Sequence, residues 1–259
     1  MSGLLIRLAG PMQSWGERST FSSQRDTAPF PTRSALIGMF AAAEGIGRGD
    51  AGLEKYRELR IAVRVDRPGV PLIDYHTVGG GFPKNRTAAT SGGGNKGAAV
   101  VTNRHYLADA VFVVAVSASD KTVKHLANAL KQPYWAPYLG RRSCPPDEPF
   151  VLRRNVDDPE EELRTRVPLS RTAPPQQNAS TPLAVEFLWE QAPPHSGEAA
   201  SPLDIIEVND EPVSFAQHGR RHAGRRLYRT VEPVPHHLAC SKGTLMQRLI
   251  DYAHTEEHA

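Results

Sequence analysis

The sequence predicts an α+β protein whose first 153 residues form a ferredoxin-like domain. In this half, apolar β-prone segments and two helical segments follow one another in the order β-α-β-β-α-β, the order of that fold. The strands show two-residue alternation or short apolar runs, whereas the helices show apolar spacings of three and four residues. Residues 154–259 contain further strand patterns and one helical pattern. We therefore expect a smaller β-rich C-terminal region after the first domain.

The first three elements have clear boundaries. Residues 3–9 form a short apolar run ended by a Gly-Pro pair, which predicts a strand. Thr32 occupies the N-cap position of a helix that is apolar nearly all round and stops at Gly45, so this helix should be buried. Residues 61–65 alternate apolar and charged side chains, which predicts a half-buried strand.

The last three elements of the domain follow the same logic. Residues 111–116 are continuously apolar and β-prone, as expected for a central strand. Asp120 is the predicted N-cap of a second, amphipathic helix. Its apolar residues have i, i+3, i+4, i+7 spacing: Val123, Leu126, Ala127 and Leu130. Residues 150–152 predict the final strand.

An insertion at about residues 67–105 separates the second and third strands. Its glycine runs 79–81 and 92–94 leave it unable to hold a hydrophobic core. Basic side chains lie in the insertion or at its exit: Lys84, Arg86, Lys96 and Arg104. The insertion is either a mobile surface loop or a basic arm that becomes ordered on a nucleic acid. Long loops are often functional, which favours the arm.

The C-terminal region carries weaker patterns. The acidic residues 160–162 and the Pro- and Gln-rich residues 174–177 predict solvated connections. Three other segments predict a strand at 185–189, a hairpin at 205–215 that turns at Asn209 and Asp210, and a short terminal helix at 245–250.

Composition and charge limit the function classes. The chain has 259 residues, a net charge of +3 and a pI near 8.9, which gives a modest preference for anionic partners. Cys144 and Cys240 form neither a disulfide framework nor a zinc site, which fits a reducing cytosol. The first residues lack the apolar segment of a signal peptide, and no apolar run reaches membrane length. We expect a soluble, cytoplasmic protein without a membrane partner.

Motifs of nucleotide-binding and hydrolytic enzymes are absent from the sequence, namely GxxxxGK[ST], GxSxG and HExxH. His218 and His222 have i, i+4 spacing, but Gly219 disfavours a helix there and the neighbouring arginines repel a cation. We therefore predict no metal site and no cofactor. The basic segment 218–229 is compatible with binding a phosphate backbone, with binding an acidic protein surface, and with a solvated face.

The segment 137–145 carries the strongest functional signal. Prolines stiffen both of its ends, and Gly140 permits a positive φ or the close approach of another chain segment. Arg141, Arg142 and Ser143 follow directly and present several donors, which favours binding of an anion such as phosphate. The alternative is an exposed basic turn whose arginines only contact solvent.

Tyr75 and His76 precede the glycine-rich segment, and His105 and Tyr106 follow it. Metal-free RNA cleavage needs a general base, a general acid and a cation beside the phosphate. His76, Tyr75 and a nearby Arg or Lys are suitable for these roles. They are equally suitable for stacking on bases and binding RNA without cutting it, so both alternatives stay open.

Five stretches occur together in the order of one known family. They are residues 8–16 (LAGPMQSWG), 30–34 (FPTRS), 74–78 (DYHTV), 106–110 (YLADA) and 138–145 (YLGRRSCP). By these stretches the chain resembles the CasD family, the type I-E CRISPR subunits of the Cascade surveillance complex, within the repeat-associated RNA-binding superfamily. The resemblance is strong over roughly residues 1–150 and loose over the remainder.

The resemblance implies an RRM-like ferredoxin domain with a β-hairpin thumb, here at about residues 74–105. It implies a non-catalytic antiviral subunit that binds the 5′ handle of the mature CRISPR RNA and caps the backbone filament. The implied partners are CRISPR RNA, the backbone subunit CasC and the large subunit CasA, with target DNA reached through the assembled complex. Type I-C relatives cut precursor RNA with a Tyr, Lys and His set that we do not place at matching positions here. A metal-independent endoribonuclease that processes precursor CRISPR RNA is therefore the alternative.

The resemblance and the basic residues together give an expected RNA-binding set without catalytic or metal-ligating members. The set contains Gln13, Trp15, Arg33, Ser34, His76, Lys84, Arg86, Lys96, Arg104, Arg141, Arg142 and Ser143.

Overall fold

The computed structural model describes residues 2–16, 22–49, 52–87, 94–95, 99–172, 181–193, 204–216 and 220–254. The strands of this part are β1 (Ser2–Ala9), β2 (Met12–Gln13), β3 (Gln24–Arg25), β4 (Arg60–Arg67), β5 (Val70–Val78), β6 (Val100–Ala108), β7 (Val111–Ala118), β8 (Val151–Val156), β9 (Leu183–Trp189), β10 (Asp204–Ser214) and β11 (Arg221–Val234). The α-helices are α1 (Arg33–Ala43), α2 (Asp120–Lys131), α3 (Pro159–Thr165) and α4 (Lys242–His254).

A large antiparallel sheet in the order β10-β11-β9-β4-β7-β1-β8 forms the centre of the protein. This sheet and its helices confirm the α+β class. The predicted strands at 3–9, 61–65, 111–116, 150–152 and 185–189 are confirmed, as are the helices that begin after Thr32, near Asp120 and near residue 245. β8 spans residue 153, and β9 pairs with β4, so the two predicted regions share one sheet. Their separation into domains stays a prediction.

Apolar side chains cover both faces of this sheet. On one face, Leu4 and Ile6 of β1 belong to a buried cluster with residues of α1 and α2. On the other face, Leu5 belongs to a second cluster that includes Leu163 of α3 and Leu249 of α4. Because both faces are covered, β1 and β7 are buried along their whole lengths and show no polar alternation.

Helix α1 is largely buried, as its apolar composition predicts. Thr32 occupies the N-cap position with an extended backbone, but its side chain makes no capping hydrogen bond. The Asp210 carboxylate of β10 instead accepts a hydrogen bond from the Arg33 backbone N–H at 2.7 Å. A residue 177 positions away thus satisfies a free donor at the start of the helix.

Two sequence predictions about helices were wrong. The N-cap of α2 is Ser119, whose hydroxyl accepts from the Thr122 backbone N–H, and Asp120 is the first helical residue. The acidic residues 160–162 lie in α3 rather than in a solvated connection. Asp158 caps α3 by accepting from Glu161 N–H at 3.0 Å, which is a helix-start signal that the acidic composition obscured.

The predicted hairpin at 205–215 was also wrong. β10 runs as one strand along β11, with an irregular register between Val208 and Glu211 where the turn was expected. Asp210 is 1% exposed, because its carboxylate binds Arg33 N–H and the Arg225 guanidinium. Partners inside the protein therefore turn a sequence typical of a reverse turn into a bulge within a strand.

The insertion contains two long strands. β5 and β6 pair antiparallel over nine positions, from Val70 with Ala108 to Val78 with Val100. On its other edge, β6 pairs with β2 at Ala108 and Leu107 and with β3 at Arg104 and Asn103. The base of the insertion is thus fixed to the segment that follows β1. The glycine-rich residues 88–93 and 96–98, including Lys96, lie outside the described residues.

Candidate nucleic-acid interface

The loop at residues 137–145 packs directly against the segment after β1. Gly140 has a φ of +81°, and a Cβ at this position would lie 1.7 Å from the carbonyl oxygen of Ser14. Ser14 N–H donates to the Leu139 carbonyl at 3.1 Å, and Leu139 N–H donates to the Cys144 carbonyl at 2.7 Å. Both roles that the sequence suggested for Gly140, positive φ and close approach, are present.

This packing fixes the position of Arg141. One guanidinium nitrogen, Nη2, donates to the Arg25 carbonyl at 3.0 Å, and the guanidinium carbon lies 4.5 Å from the centre of the Tyr106 ring. Nη1 has no hydrogen-bond partner among the described residues. Arg142 and Ser143 are exposed beside it, with the Ser143 hydroxyl 3.8 Å from Cys144 Sγ. The loop therefore presents a held cation next to an exposed guanidinium and an exposed hydroxyl.

Three arginines from different segments meet here, and we call Arg25, Arg104 and Arg141 the arginine cluster. β3 pairs with β6 at Arg25 and Arg104, and Arg141 reaches over Arg25. Partial burial lowers the pKa of Arg25, and the charges of Arg104 and Arg141 lower it further. None of the ion pairs in the described part of the chain includes a member of this cluster or Arg142. Asp74 lies opposite Arg104 on the β5–β6 ladder, but no described ion pair neutralises the three arginines. Their concentrated positive charge suits an anion such as an RNA phosphate.

Gln13 and Trp15 lie beneath this surface rather than on it. Both side chains are 0% exposed. Gln13 Nε2 donates to the carbonyls of Leu8 at 3.0 Å and Ala110 at 2.8 Å, which joins the end of β1 to the turn between β6 and β7. Trp15 N–H donates to Thr27 Oγ1 at 2.8 Å, which holds the segment that carries Arg25. These two residues support the surface from below: their remaining polar atoms, Gln13 Oε1 and Trp15 Nε1, have no hydrogen-bond partner among the described residues but are buried.

Arg33 is equally unavailable for direct contact. Its guanidinium is 5% exposed and binds the carboxylates of Glu190 at 2.8 Å and Glu211 at 2.8 Å. It also donates to two backbone carbonyls near the end of the α1–β4 connection. Burial raises the pKa of Glu190, an effect opposed by Arg33 and by Arg225. Ser34 is partly exposed, with its hydroxyl 3.4 Å from that of Thr32.

The basic segment that was expected to be a single charged strip is divided in the structure. Arg225 is bound to Asp210 at 2.5 Å and to Glu190 at 3.0 Å, in the same ion network as Arg33. Arg229 lies 3.5 Å from Asp204 on the neighbouring strand. Only part of the strip is therefore available to a partner.

The two faces of the β5–β6 ladder differ in chemistry. Asp74 and His76 share one face with their partners Arg104 and Thr102, and His76 Nδ1 lies 3.4 Å from Asp74 Oδ2. Tyr75 lies on the other face and is 71% exposed. Tyr75 and His76 therefore point away from each other and do not form an acid–base pair around one phosphate.

The remaining basic residues of the insertion lie toward its far end. Lys84 and Arg86 belong to a short 3-10 helix, and Arg86 is exposed. Among the described residues no group of three or more His, Cys, Asp or Glu side chains could hold a metal ion. His218 lies outside those residues, and His222 is half-buried. Within the same part of the chain, no helix has both the length and the apolar character needed to cross a bilayer.

Comparison with known proteins identifies the family. The family model described as CRISPR-associated protein (Cas_Cas5) matches residues 3–228. The chain belongs to this CRISPR-associated protein family. The CRISPR system Cascade subunit CasD of Escherichia coli (strain K12) is 39% identical over 182 residues, which are 65% of this chain and 78% of that protein.

Two solved structures extend the match to nearly the whole length of this chain. A chain of a CRISPR RNA-guided surveillance complex is 46% identical with a TM-score of 0.83, covering 97% of this chain and 99% of its own length. A structure described as a Cas protein is 28% identical with a TM-score of 0.60, covering 92% and 97% of the two chains. The fold therefore continues through the C-terminal half, where the sequence resemblance was weaker.

The sequence analysis missed Arg25, which the structure brings into the arginine cluster. Its segment, Gln24 to Thr27, has no strong periodicity and lies between two of the family-like stretches. The one sequence signal that could have indicated Arg25 is its position as a basic residue shortly before the family-like stretch 30–34. Only the parallel pairing of β3 with β6 shows that Arg25 adjoins Arg104.

Proposed function

We propose that this protein is a non-catalytic subunit of a type I-E CRISPR Cascade complex that binds the 5′ handle of the mature CRISPR RNA and caps the backbone filament. The observation that carries the proposal is the arginine cluster, where three arginines meet and none of them takes part in an ion pair between described residues. The exposed Arg142 and Ser143 lie beside it. Such a surface attracts a flexible phosphate backbone whatever its bases are. The relatives named as a Cascade subunit and as a chain of an RNA-guided complex support this choice of anion.

Within this proposal, β1, β4, β7 and β8 with α1 and α2 form the ferredoxin-like domain, and the β5–β6 ladder is its thumb. The sheet order β4-β7-β1-β8 and the projection of β5–β6 from the arginine cluster support these assignments. The thumb extends the cluster's charge through Arg104 and the basic residues Lys84, Arg86 and Lys96. CasC and CasA are the proposed neighbours, target DNA is reached through the assembly, and the complex acts in the cytoplasm.

Endoribonuclease activity is the alternative function. It is disfavoured because Tyr75 and His76 lie on opposite faces of β5. Incubation of the purified protein with labelled CRISPR repeat RNA in EDTA distinguishes the two functions. We expect intact RNA. Specific cleavage that His76→Ala abolishes would establish the nuclease and refute the proposal.

The binding itself is tested by the salt dependence of RNA affinity. For single-stranded RNA, each phosphate that a variant no longer neutralises lowers the slope of log affinity against log salt by roughly 0.7. The double variant Arg141→Ala/Arg142→Ala should bind handle RNA more weakly and with a reduced slope. Lys124→Ala on the exposed face of α2 removes a charge elsewhere and is the matched control. An unchanged slope in the double variant would show that the loop does not bind RNA phosphates.

A further inference from the structure

The β5–β6 ladder places a carboxylate directly beside the arginine cluster. Asp74, the single acidic residue of these two strands, lies opposite Arg104 of β6. Arg104 in turn pairs with Arg25 of β3, so the three residues form one row across three paired strands and share one face of the small sheet. A carboxylate in this row weakens the attraction for a phosphate. Phosphate binding therefore does not explain why Asp74 lies there.

Asp74 and Arg104 do not neutralise each other, although they are directly opposite. The Cβ atoms of such a cross-strand pair are about 4.5–5.5 Å apart, yet no ion pair of the described residues joins the two side chains. Asp74 Oδ2 instead lies 3.4 Å from His76 Nδ1 on its own strand. Arg104 Nε donates to Thr102 Oγ1 at 3.2 Å, also on its own strand. Each side chain therefore contacts a neighbour along its strand and leaves a gap between carboxylate and guanidinium.

The groups that border this gap are available to a ligand. The side chains of Asp74 and His76 are 46% and 43% exposed. Within the described part of the chain, Asp74 has no polar partner besides His76, and Nη1 and Nη2 of Arg104 accept no partner in a hydrogen bond. The gap thus has acceptors on one side and donors on the other. A phosphate contact needs donors alone, whereas reading a base edge uses donors and acceptors together.

The carboxylate narrows the choice of RNA group. An ionised carboxylate only accepts hydrogen bonds, and the donors of RNA are the 2′-hydroxyl and the N–H groups of the bases. Of the four bases, guanine alone presents two adjacent donors on its Watson–Crick edge, N1–H and N2–H, with the acceptor O6 next to them. The two oxygens of Asp74 suit that pair of donors, and the guanidinium of Arg104 suits O6. Unpaired bases in RNA complexes are commonly read through this edge.

We propose that Asp74 and Arg104 read the Watson–Crick edge of one unpaired guanine in the RNA bound at the arginine cluster. The inference rests on the proposed function and gives that same site a sequence preference. The support for RNA is the continuity of the row, because the residue that would contact guanine O6 is itself a member of the arginine cluster. His76 is a positioning residue that keeps Asp74 turned away from Arg104.

Inosine substitution gives the direct test. Inosine lacks the 2-amino group of guanosine but keeps N1–H and O6, so it removes one donor to Asp74 and changes nothing else on that edge. Each guanosine of a single-stranded CRISPR repeat RNA is replaced in turn, and affinity for the full-length protein is measured. At one position the replacement should weaken binding by at least about fivefold, the lower end for one bidentate base contact. Asp74→Asn offers one acceptor oxygen in place of two, and it should bind the guanosine and inosine RNAs equally.

The sign of a second effect separates base reading from general electrostatics. Asp74→Asn removes a negative charge beside the phosphates, so it should bind RNA without that guanosine at least as tightly as wild type. Asp120→Asn, at the exposed start of α2, is the matched control. It removes the same charge elsewhere and should keep the preference for guanosine over inosine. Both carboxylates are accessible to solvent, so thermal unfolding of the two variants should match wild type.

The outcomes distinguish this inference from the proposed function. If Asp74→Asn keeps the wild-type preference for guanosine, base reading is refuted. If Arg141→Ala/Arg142→Ala weakens RNA binding while no inosine substitution matters in wild type, the handle site stands and base reading is again refuted.

Two other contacts of Asp74 are also recognisable. If Asp74→Asn removes sensitivity to a 2′-deoxy substitution but not to inosine, the carboxylate binds a sugar hydroxyl and the inference is refuted. If the variant binds every RNA like wild type but binds another Cascade subunit more weakly, Asp74 belongs to a protein contact and the inference is refuted as well. If the wild-type protein and its complex do not bind the repeat RNA, both proposals are refuted together.

Discussion

Gly140→Ala tests whether the close packing of the loop holds the arginines of the proposed RNA-binding surface. A Cβ would lie 1.7 Å from the Ser14 carbonyl oxygen, so loop and strand segment must separate by roughly 1.3 Å before they reach the shortest approach that real structures show. That movement breaks the hydrogen bond from Ser14 N–H to Leu139, worth about 0.5–1.5 kcal/mol. The left-handed backbone adds roughly 1–2 kcal/mol for a residue with a Cβ. We expect a loss of about 2–3 kcal/mol in the free energy of unfolding.

Gly49→Ala is the matched control. Gly49 also has a positive φ, +92°, but a Cβ there meets nothing within 4 Å, so this variant includes only the backbone cost. Thermal unfolding should place Gly140→Ala about 5–10 °C below wild type, at 2–4 °C per kcal/mol, and Gly49→Ala clearly less. Gly140→Ala should also show the reduced salt slope of RNA binding that is expected when Arg141 is removed. Equal melting temperatures for the two variants would refute the close-packing argument.

Three further predictions concern the core, the thumb and pH. Asp66→Asn should lower the free energy of unfolding in urea by about 3–5 kcal/mol, because it leaves the fully buried Arg64 without its anion. The control is Glu54→Gln, whose ion pair with Arg57 is more than 70% exposed, and it should change stability by under about 1 kcal/mol. Similar losses in both variants would contradict the prediction. In the free protein, hydrogen-exchange protection of the β5–β6 ladder should decrease from its base at Ala108 toward its far end at Val78. Protection should rise in the RNA complex, and no RNA-dependent change would refute the thumb assignment. Burial and the charge of Arg220 lower the pKa of His222, so the native state favours the neutral ring and stability should decrease as the pH falls from about 6.5 through that lowered pKa. Urea unfolding at a series of pH values should show a flatter acid limb for His222→Gln, and an identical limb would exclude His222 as its cause.

Local sequence patterns were sufficient to predict the main strands and helices, because these elements are determined by a few consecutive residues. The apolar run of β1, the spacing of α2 and the termination of α1 at Gly45 all reflect properties of a few consecutive residues. Asp210 shows the limit of such reasoning. Its Asn-Asp context is typical of a turn, but its partners Arg33 and Arg225 lie far away in the sequence and keep it inside a strand.

In the candidate site, too, features set by consecutive residues were predicted and features set by distant partners were not. The sequence correctly predicted that Gly140 permits close approach and that Arg141 and Arg142 follow it in a presented loop. It could not predict that Arg25 completes the arginine cluster, because parallel pairing of two-residue β3 with β6 has no periodic signal. Nor could residue type show that Arg33, which belongs to a family-like stretch, is used internally as an ion-pair partner.

The burial of Arg33 gives the C-terminal strands a part in shaping the proposed RNA-binding surface. Glu190 follows β9 and Asp210 lies in β10, and both bind Arg33 at the start of α1. The chain between Arg25 and Arg33 is short and is also held by the hydrogen bond from Trp15 N–H to Thr27. The segment that carries Arg25 is therefore fixed at both ends, by Trp15 near the arginine cluster and by the ion network at α1. Because a site must be held rigidly to select one geometry of a flexible RNA backbone, we expect the C-terminal strands and the buried family-like residues to support the proposed binding by position, without touching the RNA.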